Sequence, residues 1–272
     1  MANNKERRKS RTSYVQSIER AIDILEALSE EGSPLQLKTL AKRVRLHKTT
    51  VHRILKTLMK RGYVENVDNN GTYKLDLQIL KLSSPLLENI EVRREAKSFL
   101  EELRDKTGET VHLGILEGNE IVYIEKIEGT RPLHMASSVG KRVPLYCTAL
   151  GKAILAYLDE KELNPLLENI KLEPKTPNTI TSIEKLKEEL IKIRALGYSI
   201  DNIENEEGIR CIGAPIFDHT GKVAAAISIS GAAFYIPIER IEKELGPLIK
   251  TAAFEISKRL GWKYTRERAT EE

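Results

Sequence analysis

Apolar residues along this chain recur first at helical spacing, then in alternation, then at helical spacing again, and these changes of period predict its elements. Val15, Ile18, Ala21, Ile22, Leu25 and Leu28 fall on one face of a first helix, with Ser13 and Gln16 spaced as a capping box and Gly32 just past its end. A second, short helix follows Pro34 and buries Leu37, Leu40, Ala41 and Val44. A third covers residues 47–61 with Val51, Ile54, Leu55 and Leu58 inward, and Gly62 ends it. Residues 63–67 and 72–75 then form two short strands around Asp68-Asn69-Asn70-Gly71, a hairpin with an Asn-Gly turn.

Residues 77–106 are again helical in pattern and read as a linker helix. Pro85 kinks or breaks that run, because it lacks an amide hydrogen and its ring crowds the preceding turn. Past Gly108 the period becomes two: Val111, Leu113 and Ile115 alternate, Glu117-Gly118-Asn119 turns the chain, and residues 121–127 return. Residues 133–139 are a further strand candidate, residues 149–158 a helix, and Thr181 with Glu184 a capping box opening a helix that stops at Gly197. Residues 198–203, 209–217 and 223–229 are three more strands, the last two joined by a turn through Asp218 to Lys222. A closing helix carries Pro237 in its first turn. Without a regular βαβ alternation, the expected class is α+β. The expected division is an arm (1–12), a three-helix-and-hairpin domain (13–75), a linker (76–107), a C-terminal domain (108–262) and a tail (263–272).

The 272 residues are 40% apolar, ample for a core. No apolar run approaches the roughly 20 residues of a membrane span. The basic start, MANNKERRKSR, lacks the apolar stretch and cleavage site of a secretory signal. Cys147 and Cys211 form neither a CxxC pair nor a disulfide framework. A reducing, cytoplasmic location is expected.

Charge changes the picture once it is divided. The net value is +4, but residues 1–74 hold 16 Lys/Arg against 8 Asp/Glu, while the other 198 hold 28 against 32. Residues 35–63 carry nine Lys/Arg and no carboxylate. A solvated face normally mixes signs, so a polyanion is the expected partner of this segment. Three helices and a hairpin make a winged helix-turn-helix, whose last helix enters the DNA major groove. Its first two turns place Lys48, Thr49, Thr50, His52 and Arg53 near phosphates and base edges, with Arg53 suited to guanine. Lys38 belongs to the same basic run and is expected to bind DNA, Lys56 and Lys60 face the backbone or water, and Asn69, Asn70 and Lys74 lie near the wing tip. Arg7, Arg8, Lys9 and Arg11 suit either an arm over phosphates or a solubility tail.

Four segments then carry a resemblance: Ser17-Ile18-Glu19-Arg20-Ala21-Ile22-Asp23-Ile24-Leu25, Leu46-His47-Lys48-Thr49-Thr50-Val51-His52-Arg53-Ile54-Leu55, Thr148-Ala149-Leu150-Gly151-Lys152-Ala153 and Ala226-Ile227-Ser228-Ile229-Ser230-Gly231. In this order they resemble the IclR family of bacterial transcription regulators, over residues 15–262. The resemblance implies a winged helix-turn-helix, a linker helix and a C-terminal GAF-like or profilin-like effector-binding domain with an antiparallel sheet. It also implies homodimers, which can pair into tetramers, on palindromic double-stranded operators.

In the second domain Thr148 is placed to cap the helix at Ala149, and Gly151 to allow close approach; free first-turn amides there make either an anion site or an ordinary cap. The resemblance implies an effector pocket lined by Met135, Ala149, Leu150, Asp201, Ile209, Cys211, Ser228 and Ser230; members of the family take small organic acids, sugar acids or aromatic acids there, and a small organic acid or sugar acid is expected here. Without it, Cys211 reads equally as a small buried hydrophobe, Asp201 as a turn or salt-bridge residue, and the serines as strand filler. Three other readings stand beside this one. Cys147 or Cys211 with His112, His134 or His219, oriented by Asp201, could form a nucleophile and base. The same residues could hold zinc, although no HxxxH or HExxH spacing occurs. Finally, the C-terminal domain could serve oligomerisation alone. The expected function is a ligand-controlled transcription regulator, a repressor, with no catalysis, cofactor, metal or membrane association.

Overall fold

The computed structural model describes residues 15–67, 70–82, 91–132 and 135–263. The chain divides into two compact units, residues 1–86 and 87–272.

In the first unit, α1 (Gln16–Glu31), α2 (Leu37–Arg43) and α3 (Lys48–Lys60) enclose a core of Ile24, Leu28, Leu40, Val51, Leu55 and Tyr73. Each large aliphatic side chain so buried contributes about 1.5–3 kcal/mol. The hairpin is β2 (Val64–Val67) against β3 (Thr72–Leu75), antiparallel. A two-residue strand absent from the expectation, β1 (Leu35–Gln36), pairs with the other edge of β3. The inward face of α1 also differs: Ile24, Ala27 and Leu28 are buried, while Val15, Ile18 and Ile22 are 59%, 58% and 48% exposed. The apolar positions of α1 thus form two stripes, and only one meets the core. Val15 is the residue at the N-cap, without a side-chain bond; Ser13 of the expected capping box lies outside the described residues.

Pro85 and the centre of the expected linker lie outside the described residues too. Past them, α4 (Glu91–Thr107) packs Val92, Ala96, Leu100 and Leu103 into the core of the second unit. That unit is built on a six-stranded antiparallel sheet in the order β6-β5-β4-β9-β8-β7. The strands are β4 (Thr110–Glu117), β5 (Glu120–Ile127), β6 (Arg142–Pro144), β7 (Ser199–Asn202), β8 (Ile209–Phe217) and β9 (Val223–Ala232). The expected strand at 133–139 is a correction: none of its described residues, 135–139, is in a strand, and β6 starts three residues later. Lys126 explains this, because its ammonium binds the carbonyls of Met135 and Ser137 that a ladder would otherwise use.

One face of the sheet carries Val111, Leu113, Ile212, Ala214, Ala225, Ile227 and Ile229 and is covered by α4 and the closing helix. The closing helix comes in pieces: α8 (Ile238–Arg240) after Pro237, a π turn (Ile241–Leu245), and α9 (Gly246–Arg259). The other face is covered by α5 (Ala149–Leu155) and α7 (Ile183–Leu196), with Leu150, Ile154, Leu186 and Leu190 inward. The helix expected to 158 stops at Leu155, and α6 (Glu160–Asn169), capped by Asp159, follows it. The cap of α7 is Ser182 rather than Thr181: Ser182 Oγ accepts from Lys185 N at 3.4 Å. Two glycines let α5 lie directly on its neighbours. A Cβ on Gly151 would stand 2.2 Å from the carbonyl oxygen of Leu145, and one on Gly213 of β8 would stand 2.8 Å from the carbonyl of Ala149.

Candidate functional site

In the first unit the turn between α2 and α3 is four residues, the length a helix-turn-helix requires. Arg45 takes a left-handed φ of 52°, and Leu46 N donates to Ala41 O at 3.0 Å, closing the turn. Because Val51, Leu55 and Leu58 fill the core, α3 turns Lys48, Thr49, Arg53 and Lys56 outward. Thr50 and His52 are half-buried, and His52 Nδ1 is shut off from solvent without a partner among the described residues. Thr49 Oγ1 lies 2.8 Å from His47 Nδ1.

The basic residues are not equivalent. Arg43 is held by Glu30 and Glu31 of α1, and Lys74 by Glu65 across the hairpin. Lys38, Lys48, Arg53 and Lys56 make no ion pair among the described residues and are exposed, as is Asn70 at the wing. The carboxylates therefore neutralise the flanks and leave the outer face of α3 cationic. Asn69 and the arm residues Arg7, Arg8, Lys9 and Arg11 lie outside the described residues.

In the second unit, side chains two apart on a strand share a face. While Val111, Ile212, Ile227 and Ile229 point into the apolar core, His112, Asp201, Cys211, Ser228 and Ser230 point to the opposite face, beneath the first turn of α5. All eight residues named for an effector pocket line this one cavity. Its free space is small, about 50 Å³.

Hydrogen bonds give the cavity its polarity. His112 Nε2 lies 2.8 Å from Ser137 Oγ, His112 Nδ1 3.4 Å from Ser230 Oγ, and Ser230 Oγ 3.4 Å from Ser228 Oγ. The His112 ring stacks on Tyr123 at 4.7 Å. Burial, reinforced by Lys126, lowers the pKa of His112 to about 3, so the ring is neutral. Burial acts oppositely on Asp201, raising it to about 7 although Glu204 N (2.7 Å) and Asn205 N (3.4 Å) both donate to its Oδ1. Thr148 Oγ1 accepts from Gly151 N at 3.1 Å, as a cap does, and leaves the first-turn amides of Ala149 and Leu150 without an acceptor among the described residues. Sequence reasoning missed His112, Tyr123, Ser137, Lys141, Asn205 and Glu206 as cavity residues. For His112 the signal was present: it alternates with Val111 and Leu113 and so shares the face of the serines.

The same geometry weighs on the catalytic alternative. Burial raises Cys147 to about 12 and Cys211 well above its ordinary value, so both are protonated thiols and poor nucleophiles. His134 lies outside the described residues. Among the described residues no three of His, Cys, Asp and Glu come together as metal ligands would, and no helix is long and apolar enough to cross a membrane.

Comparison with known proteins gives the same division. Residues 17–68 match the IclR helix-turn-helix domain, and residues 85–258 the C-terminal domain of the bacterial transcriptional regulator IclR. The chain is 42% identical to the regulator XynR of Escherichia coli over 216 residues, 79% of this chain and 86% of XynR. With KdgR of the same organism it is 40% identical over 248 residues, 91% of this chain and 94% of KdgR. The crystal structure of Thermotoga maritima IclR superimposes with a TM-score of 0.80 at 38% identity, covering 92% of this chain and all of that one. These relatives are transcription regulators rather than enzymes. The chain, with a helix-turn-helix in one unit and a curled antiparallel sheet in the other, belongs to the IclR family of bacterial transcription regulators.

Proposed function

We propose that this regulator is a repressor that holds a palindromic operator as a homodimer in the cytoplasm and releases it when a small carboxylate occupies the second unit. The observation that carries the effector reading is the cavity on the α5 side of the sheet. Its lining brings together the first-turn residues Ala149 and Leu150 of α5, the strand residues Ser228, Ser230 and His112, Asp201 and Ile209 on the neighbouring strands β7 and β8, and Met135, whose carbonyl binds Lys126 of β5. Amides and hydroxyls suit a carboxylate, Asp201 accepts from a ligand hydroxyl, and the apolar part of the lining excludes water. The small free volume favours a short organic acid; a sugar acid requires the 135–137 segment to move outward. Binding DNA falls to Lys38, Lys48, Thr49, Arg53 and Lys56, with Thr50, His52 and Asn70 at the margins. Dimerisation is supported by the exposed stripe Val15, Ile18 and Ile22 on α1, an apolar surface that a second copy would cover.

Selection of DNA from a random library by the full chain, followed by titration of small carboxylates into the selected complex, tests this reading. A palindromic consensus and its release by one class of acid are expected. Recovery of asymmetric sites, or a complex that no carboxylate alters, would reject the dimer or the effector part respectively.

A further inference from the structure

Lys152 is completely buried on α5, one turn from the residues of that helix that line the cavity, yet it does not touch the cavity. Burying an ammonium is costly unless it is paired, so its partner needs a reason. That partner is Glu204, itself 5% exposed, whose Oε1 bonds Lys152 Nζ and also accepts from Asn202 N at 3.2 Å. Glu189 of α7 stands further off, at 4.0 Å. Glu204 Oε2 has no partner among the described residues, so the carboxylate is held through Oε1 alone, between Lys152 of α5 and Asn202 N.

Glu204 belongs to the segment that shapes Asp201. Its own amide and that of Asn205 donate to Asp201 Oδ1, and the intervening Ile203 takes a left-handed φ of 62°, an uncommon conformation for a β-branched residue. Thr176 Oγ1 donates to Ile203 O and Thr179 Oγ1 to Glu204 O, both at 2.6 Å. These threonines grip the outer side of the segment. Lys152 is its one charged connection to the helix carrying Ala149 and Leu150.

We infer that the buried Lys152–Glu204 pair positions the cavity, fixing Asp201 at a set distance from the amides of α5. The pair acts through Asp201 and the amides and does not touch the ligand. Strain at Ile203 and an unsatisfied Glu204 oxygen are what such a constraint costs. This inference rests on the reading of the cavity as an effector site, but its test is made on the unliganded full chain. A failure of the effector reading therefore shows separately, in the operator-release titration.

The test uses Lys152→Met, Glu204→Gln and the double variant. Lys152→Met alone strands a buried carboxylate and threatens folding, whereas the double variant removes both charges and keeps the volume. Two quantities are read: amide hydrogen exchange, and the carboxyl NMR titration of Asp201. In the double variant the amides of Glu204 and Asn205 are expected to exchange at least about tenfold faster, with Ile212 and Ile229 of β8 and β9 within about twofold of the parent. The Asp201 titration midpoint rises at the same time. Since the two charges leave together, that rise reports lost amide donation to the carboxylate. Glu204→Gln alone strands the buried Lys152 ammonium just as Lys152→Met strands the carboxylate, so the double variant carries the test. Unchanged exchange and midpoint in the double variant would overturn the inference, and so would acceleration spread evenly over β8 and β9, which would make the pair ordinary support for the fold.

Discussion

Asp201 gives the sharpest quantitative prediction, because a carboxyl kept near pKa 7 by burial must destabilise the fold once pH rises. Its folded value of about 7 lies above the ordinary 3.8, so the native state retains a proton that the unfolded chain has released. Stability therefore falls as pH rises from about 4 to about 7 and then stays at its lower level. Linkage puts the penalty at about 1.5 kcal/mol at pH 5 and about 4 kcal/mol at pH 8. Asp201→Asn keeps an oxygen for the amides of Glu204 and Asn205 but cannot ionise. Relative to the parent it should gain about 2.5 kcal/mol of stability between pH 5 and pH 8, whatever its offset at any single pH. His112 contributes the opposite slope: its value of about 3 means that stability is lost as pH falls below about 6.5. That contribution is common to both proteins and cancels in the difference. Urea unfolding followed by fluorescence is selective here, since the single tryptophan, Trp262, stacks on Phe217 at 4.9 Å within the second unit. Parallel stability–pH curves for parent and variant would refute the account of Asp201 as a desolvated acid.

The remaining predictions are simpler. Arg53→Ala and Lys48→Ala should each weaken binding to a selected operator and lower the salt slope of log K by about one, with Arg53→Ala also relaxing sequence preference if it contacts a base; mobility shifts across a salt series decide. Ser230→Ala should cost a carboxylate effector about 1–3 kcal/mol in calorimetric affinity while leaving operator affinity within twofold, and equal losses of both would argue that the residue only supports the fold. Gly151→Ala forces a Cβ into the backbone of Leu145 and should destabilise the second unit by more than about 3 kcal/mol, read by the same tryptophan, whereas a near-neutral result would mean that α5 can shift freely.

Elements whose pattern is dictated by one neighbour were legible in the sequence. β8 follows its expected span because its short, largely apolar run, buried on both faces, is bounded by Gly208 and the turn through Asp218 to Lys222, and α3 was legible from its single inner stripe. α1 was misread because two apolar stripes satisfy the same period, and spacing cannot say which one the core selects. The short strands β1 and β6 have two and three residues, too few for any period, and exist only because a longer strand offers them a free edge. For the cavity, the eight named positions came together, but their ionisation states did not follow from sequence. Those depend on burial and on Lys126 and Lys152, which arrive from elsewhere in the fold. Lys152 itself reads as a surface residue of a helix; its complete burial comes from Glu204, 52 positions away.

The row of hydroxyls through His112 has a directional consequence. A neutral imidazole gives a proton on one nitrogen and takes one on the other, so the line from Ser137 through His112 and Ser230 to Ser228 can point only one way at a time. An anion accepting from Ser228 would oblige Ser228 to accept from Ser230, Ser230 to accept from His112 Nδ1, and His112 Nε2 to accept from Ser137. Occupancy at one end would thus fix a tautomer in the middle and a hydroxyl orientation at the far end, about three side chains away. Ser137, on the segment that also contributes Met135 to the lining, would then register through its hydroxyl the charge of an anion held at Ser228.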